Sequence, residues 1–205
     1  MNINKPPKWL RSLYHSFYWN VNSVDKELFL TFDDGPTVDV TLWVLDELDR
    51  HNAKATFFCI GRNVDRYPDI YNEILKRGHS VGNHTYSHLK GWKVKNKEYI
   101  DDVKLASLHI DTDMFRAPYG KVKTTQIKKL KNMGFRLFMW DVLSEDYNTL
   151  KVTKEQCVAN VMDNVCNGSI IVFHDSVKAK KNLYHTLPIV LKELKEQGYL
   201  FKRLV

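Results

Sequence analysis

Short apolar runs recur along this chain at spacings that leave room for a helix between them, and most stop on polar residues able to do chemistry. Leu28 to Phe32 runs into Asp33 and Asp34, and His79 to Gly82 into a stretch holding His84 and His88. The run beginning at Met114 meets Arg116, Phe135 to Trp140 runs into Asp141 and Asp146, and Ser169 to Phe173 stops at His174. Ala55 to Ile60, ending at Gly61, and Tyr199 to Leu204 complete the predicted strands. Between them, Val40, Trp43, Val44 and Leu48 recur at helical steps, which predicts a helix over 38–51 with Thr37 as its cap. Further helices are predicted after Pro68 to Lys76-Arg77-Gly78, over 97–107, from Thr124 or Thr125 to Met133, over 154–165 and over 183–197.

Such alternation predicts an α/β fold with a mostly parallel sheet, closed or curved, and helices outside. In barrels of that kind the C-terminal strand ends share one face, where catalytic groups gather. With 205 residues, 43% of them hydrophobic, the chain is long enough for one sizeable core, and no repeat or linker argues for a second domain. Residues 27–205 are expected to form that domain, and residues 1–26 an aromatic and basic segment packed on it.

The formal charge of +7 points to an anionic environment. No groove-entering basic helix or metal-finger spacing supports nucleic acid as a partner. Cys59, Cys157 and Cys166 cannot all pair within one chain, and all three are expected to be buried and reduced. No run approaches the ~18 apolar residues of a membrane span. Lys5, Lys8, Arg11 and His15 interrupt any signal-peptide core, so the expected location is the cytoplasm or its membrane face. Residues 8–21 combine aromatic and basic groups and are either packed on the domain or in peripheral contact with a membrane.

Asp33 and Asp34 face opposite ways unless the backbone turns, which Gly35 and Pro36 make easy, so two roles for two acids is the expectation. If 84–88 takes a helical turn, His84 and His88 project to one side. Adding the Asp34 carboxylate gives a two-histidine, one-carboxylate set with open coordination positions. Zinc suits hydrolysis best, although cobalt, manganese or iron fit similar ligands. A metal so held polarises a carbonyl and lowers the pKa of bound water from 15.7 to about 7. Asp33 is then placed as base and His174 as acid, with Arg116 orienting Asp33 and an acid of the 141–146 loop pairing with His174. Taken singly, each residue has a structural reading, and Tyr119 and Trp140 also suit a core.

The motifs in order resemble the polysaccharide deacetylases of carbohydrate esterase family four. Thr31-Phe32-Asp33-Asp34-Gly35-Pro36 is similar to the family's first motif, His84-Thr85-Tyr86-Ser87-His88 to its second, Arg116-Ala117-Pro118-Tyr119-Gly120 to its third and Val172-Phe173-His174 to its last. The resemblance implies a distorted (β/α) barrel of about seven parallel strands and hydrolysis of an acetyl group from an acetylated glycan. It further implies Asp33 as base, Asp34, His84 and His88 as metal ligands, His174 as acid, and a Tyr119 backbone N–H in the oxyanion site, with Pro118 and Trp140 on the substrate side. The fourth motif departs: Leu143 and Tyr147 stand where Asp and Trp are usual, while Asp146 is kept as the partner for His174. The rival readings are an O-acetyl esterase, a catalytically silent glycan-binding relative and an iron-dependent oxygenase.

Overall fold

A computed structural model describes residues 16–205. The strands are β1 (Phe17–Tyr18), β2 (Glu27–Asp33), β3 (Ala55–Cys59), β4 (Ser80–Asn83), β5 (Met114–Phe115), β6 (Arg136–Phe138), β7 (Val142–Leu143), β8 (Ile170–His174) and β9 (Leu200–Phe201). They form one sheet in the order β1-β6-β5-β4-β3-β2-β8-β7, with β9 beside β2, and the strand pairings are parallel. The helices are α1 (Val38–Arg50), α2 (Gly61–Arg66), α3 (Pro68–Lys76), α4 (Asn96–Ala106), α5 (Thr124–Asn132), α6 (Lys154–Met162) and α7 (Lys180–Glu196). This is the distorted barrel expected, with nine strands among the described residues where about seven were expected. The additional ones, β1 and β7, are two residues long, too short for any periodicity to announce them.

Side-chain alternation along β2 sets the two sides of the wall. Leu28, Leu30 and Phe32 join the core beneath the helices, where Phe32 stacks on Phe57 at 5.0 Å and on Phe173 at 5.9 Å. Phe29 joins Phe58, Met114, Phe138 and Ile170 in a separate cluster, and Thr31 and Asp33 share its side of the strand. Each fully buried Phe or Leu contributes about 1.5–3 kcal/mol of transfer free energy. In register, Asp33 lies opposite Phe58 on β3 and His174 on β8, while Asn83 pairs with Cys59 and Phe115. The polar strand ends therefore open on one edge.

Some local expectations hold and others are corrected. The helix expected after Pro68 is α3, with Pro68 preorganising its start, and a further short helix, α2, precedes it across Tyr67. Thr37 does not cap α1 with its side chain. Its Oγ1 donates to the Asp175 carbonyl at 2.8 Å, and its N–H donates to Thr41 Oγ1 at 2.7 Å. α5 opens at Thr124 as expected, and the Lys123 N–H before it donates to the Gln126 side chain at 2.8 Å. Cys59 and Cys157 are buried, but Cys166 is exposed. Of the 8–21 segment, residues 8–15 lie outside the described residues; Phe17 and Trp19 are buried, and Tyr18 is half exposed. Among the described residues no helix is long and apolar enough to cross a membrane.

Candidate metal centre and its flanking groups

Asp33 is the last residue of β2, and Asp34 turns the chain in the left-handed region with φ 80°. That turn sends the two carboxylates apart. Asn63 Nδ2 holds the turn by donating to the Asp34 carbonyl at 2.8 Å, and the Ile60 N–H donates to the Gly35 carbonyl at 2.9 Å. Gly35 is required by close approach, because a Cβ there would overlap the buried Asp175 carboxyl. Gly35→Ala is expected to cost about 1–3 kcal/mol by overpacking, or roughly 2–4 °C of Tm per kcal/mol. Thermal unfolding checks it, and Asp175→Ala in the same chain should recover part of the loss.

The His84–His88 stretch does not take the helical turn that would put both imidazoles on one side, yet the two rings still come together at Asp34. It is an irregular turn with Thr85 at φ 62° and His88 at φ 58°. Asn83 Oδ1 accepts from the Thr85 N–H at 2.9 Å, and Asp102 Oδ2 from the N–H groups of Tyr86 at 2.9 Å and Ser87 at 3.0 Å. His84 Nδ1 lies 2.8 Å from the Arg116 carbonyl, an acceptor, so it carries the ring proton and leaves the Nε2 lone pair facing Asp34. Burial keeps His84 neutral, pushing it down to about 4.

Asp34 Oδ1 lies 3.6 Å from His84 Nε2 and 3.1 Å from His88 Nε2, and all three donor atoms fall within 4.8 Å of one another. Tetrahedral ligands 2.0–2.1 Å from zinc stand about 3.3 Å apart, so these separations straddle the value a bound cation requires. Burial works to raise the Asp34 carboxyl, but the His88 hydrogen bond and the charges of His174, His84 and His88 outweigh it and hold it well below the usual carboxylate range. Neutral His84 and ionised Asp34 are the ligand forms a dication takes.

Arg116 is fully buried behind Asp33. Its Nη1 donates to Asp33 Oδ1 and to Thr31 Oγ1, both at 2.7 Å, and Nη2 to the Met139 carbonyl at 3.0 Å. The guanidinium lies 4.0 Å from the Phe58 ring centroid. Burial pushes Arg116 down and Asp33 pushes back, but arginine stays charged.

On the other flank Asp146 Oδ1 meets His174 Nδ1 at 2.8 Å, and Asp146 Oδ2 accepts from the His174 N–H at 2.8 Å. Burial would lower His174, but the charge and hydrogen bond of Asp146, with the charges of Asp34 and Asp33, lift it to about 9. Its folded value lies above the ordinary 6.5, so the stability this pair contributes is complete below about pH 6.5 and is lost as pH rises through about 9. In metal-free protein the imidazole is expected to titrate near 9, and in Asp146→Asn near or below 6.5, read from its NMR shifts against pH.

Asp33, Asp34, His84, His88 and His174 line one cavity of about 460 Å³, together with Tyr119, Trp140, Leu143, Tyr147 and Val172. Pro118 is buried at the start of a short 3-10 turn and does not line it. Tyr119, inside that turn, has φ 60° and is 58% exposed. Tyr147, at the departure in the fourth motif, sets its ring edge to face against His174 at 4.8 Å, so with Leu143 it rebuilds that wall. Asp141, grouped with the site from its position after an apolar run, instead accepts from Ser169 Oγ at 3.0 Å and the Ile170 N–H at 2.9 Å, which anchors the start of β8. Thr31, Asn63 and Asp102 support the site and escaped sequence reasoning. Strand alternation puts Thr31 on the Asp33 side and was a usable signal, whereas nothing local marks Asp102 on α4.

The family model for polysaccharide deacetylase matches residues 20–138. A peptidoglycan-N-acetylglucosamine deacetylase of Bacillus cereus is 32% identical over 96% of this chain and 72% of its own length. A chitooligosaccharide deacetylase of Azorhizobium caulinodans is 36% identical over 72% of this chain and 73% of its own. The crystal structure of a peptidoglycan N-acetylglucosamine deacetylase superposes with a TM-score of 0.85 at 29% identity, covering 97% of this chain and 95% of that one. By sequence and by fold, this chain belongs to the polysaccharide deacetylase family.

Proposed function

We propose that this protein is a metal-dependent hydrolase that removes N-acetyl groups from an N-acetylglucosamine-containing glycan. The observation that carries the reading is the convergence in one cavity of the Asp34–His84–His88 donor set, the Arg116-held Asp33 and the Asp146-held His174. A divalent cation on that set, zinc by preference, supplies a Lewis acid for the acetyl carbonyl and lowers the pKa of water toward 7. Asp33 takes the proton from the attacking water. Arg116 keeps that carboxylate aimed, and because the arginine is buried it has no competing solvent partner. His174, protonated at neutral pH, donates to the departing amine, and Asp146 holds its ring in position. The second position of a three-residue 3-10 turn leaves the Tyr119 N–H without an acceptor inside the turn, which suits donation to the developing oxyanion. Trp140 and Tyr147 offer ring faces or edges to a sugar.

The test is acetate release from N-acetylglucosamine oligomers and from acetylated xylan, before and after chelation and after return of zinc, cobalt, manganese or ferrous iron. Release from the oligomers that is lost on chelation and restored by a metal is the expected result. Release from xylan alone would make the protein an O-acetyl esterase, and release undiminished in metal-free protein would remove the metal from the chemistry.

A further inference from the structure

A second cavity, of about 810 Å³, opens at the other end of the barrel, among the N-terminal strand ends. β2 starts beside it at Glu27 and ends beside the metal centre at Asp33, β6 starts beside it at Arg136, and Lys54 immediately precedes β3. The segment after β9 crosses beneath these strands. The Lys202 N–H donates to the Leu28 carbonyl at 2.9 Å, the Leu204 N–H to Thr56 Oγ1 at 2.9 Å, and Ser80 Oγ to the Leu204 carbonyl at 2.7 Å. That crossing puts Leu204 in one cluster with Phe29 and Phe138, with Val21 packed against it, and these side chains form an apolar wall of the cavity. Tyr18 extends the wall by stacking on Phe138 at 5.0 Å.

The polar groups around this wall are mostly cationic: Lys54, Arg136, Lys202 and Arg203 stand there with one acidic side chain, Glu27. Arg136 has its counter-charge, pairing with Asp113 at 2.6 Å and donating to the Val205 oxygen at 2.6 Å. Among the described residues the other three have no carboxylate partner. Lys54 Nζ donates to the Arg77 carbonyl at 2.6 Å, Arg203 Nη1 to the Gly78 carbonyl at 3.3 Å, and the Lys202 side chain makes no hydrogen bond. A carbonyl satisfies a donor without cancelling its charge. The positive field reaches buried His79, whose Nδ1 accepts from the Ala55 N–H at 3.2 Å: burial first, then the charges of Lys54, Arg77 and Arg203 against that of Asp49, push it down to about 4.

We infer that this cavity is a second binding site, for a single-chain amphiphilic anion, with an alkyl chain against Val21, Phe29, Phe138 and Leu204 and a carboxylate or phosphate head at Lys54, Lys202 and Arg203. Its volume falls in the range of about 300–1,000 Å³ typical of small-molecule sites, which join an apolar lining to a few orienting polar groups. Residues 1–15 carry Lys5, Lys8 and Arg11 and no Asp or Glu, the same sign as the rim, so charge argues against the chain's own N-terminal segment as the occupant. The inference stands apart from the deacetylase reading, and its test needs no turnover.

The experiment is calorimetry on the full chain with hexanoate, octanoate and decanoate, and with octyl phosphate and neutral octanamide, each kept below its micelle-forming concentration. Expected is saturable binding at one site, tightening about two- to fourfold for each added methylene. Octanamide should bind about tenfold or more weakly than the better of octanoate and octyl phosphate, which names the head group, and added salt should narrow that gap. Lys202 and Arg203 are exposed, so the double variant Lys202→Gln, Arg203→Gln should fold as the wild type does and bring the charged and neutral ligands to within about threefold. Val21→Asp places a charge on the wall and should remove the gain per methylene. No saturable binding, an affinity indifferent to chain length, octanamide binding as tightly as the anions, or a charge preference that survives in the double variant would each overturn the site.

Discussion

Asp33→Asn is expected to leave a folded, metal-loaded protein whose kcat has dropped by about 100- to 10,000-fold, the range a positioned general base supplies. The amide keeps an oxygen where Arg116 Nη1 donates at 2.7 Å, so the geometry of the turn survives while the proton acceptor is lost. Asp33 is not in the donor set around Asp34, so metal content measured by atomic absorption should stay near that of the wild type. The substitution also strips a buried guanidinium of its counter-charge, with an upper bound of about 3–5 kcal/mol for breaking a buried pair. A Tm measured beside kcat separates the two effects, because a destabilised but correctly assembled base would lose temperature range rather than turnover at low temperature. Full activity in Asp33→Asn would place the base elsewhere.

The parts of this architecture that the sequence made legible are those with a local signature. The β2 run of Leu28 to Phe32, the capless but strongly periodic α1 and the apolar β8 each carry enough residues for a period to show. β1 and β7 do not: two residues have no period, and their pairing with β6 and β8 is set by the barrel. Among site residues, the bond between Arg116 and Asp33 spans 83 positions and that between His174 and Asp146 spans 28, so neither follows from spacing. Motif order brought them together in the reading, and the register of β2 with β8 brings Asp33 and His174 together in space. The histidine turn shows the limit from the other side. Two histidines four apart would share a side only on a helical turn, but left-handed residues at 85 and 88 and the Asp102 carboxylate of α4, accepting from the Tyr86 and Ser87 N–H groups, shape the loop instead. Asp141 misled for a related reason, since an acid after a strand reads the same whether it faces a cavity or bonds the Ile170 N–H.

Removing a ligand should have a different signature from removing the base, because it takes metal and turnover away together. His84→Ala deletes the Nε2 donor and the bond from Nδ1 to the Arg116 carbonyl, the contact that aims the ring. Loss of such an orienting partner alone typically costs about 10–100-fold in metal affinity, so loss of the ligand itself is expected to exceed about 100-fold. His84 is buried, so its deletion also leaves a cavity, and low activity alone would be ambiguous. Asp34→Asn resolves this, because the Asp34 side chain is 24% exposed and the amide nearly preserves its shape while removing the charge. Wild-type protein should gain Tm when zinc is added to the chelated form, by linkage of binding to folding, and both variants should gain little or nothing at the same concentration. The contrast with Asp33→Asn is the decisive feature: there metal-induced stabilisation persists without turnover, here both disappear. Stoichiometric zinc with wild-type stabilisation in Asp34→Asn would mean that the cation, and with it the chemistry assigned to this cavity, is held by other residues.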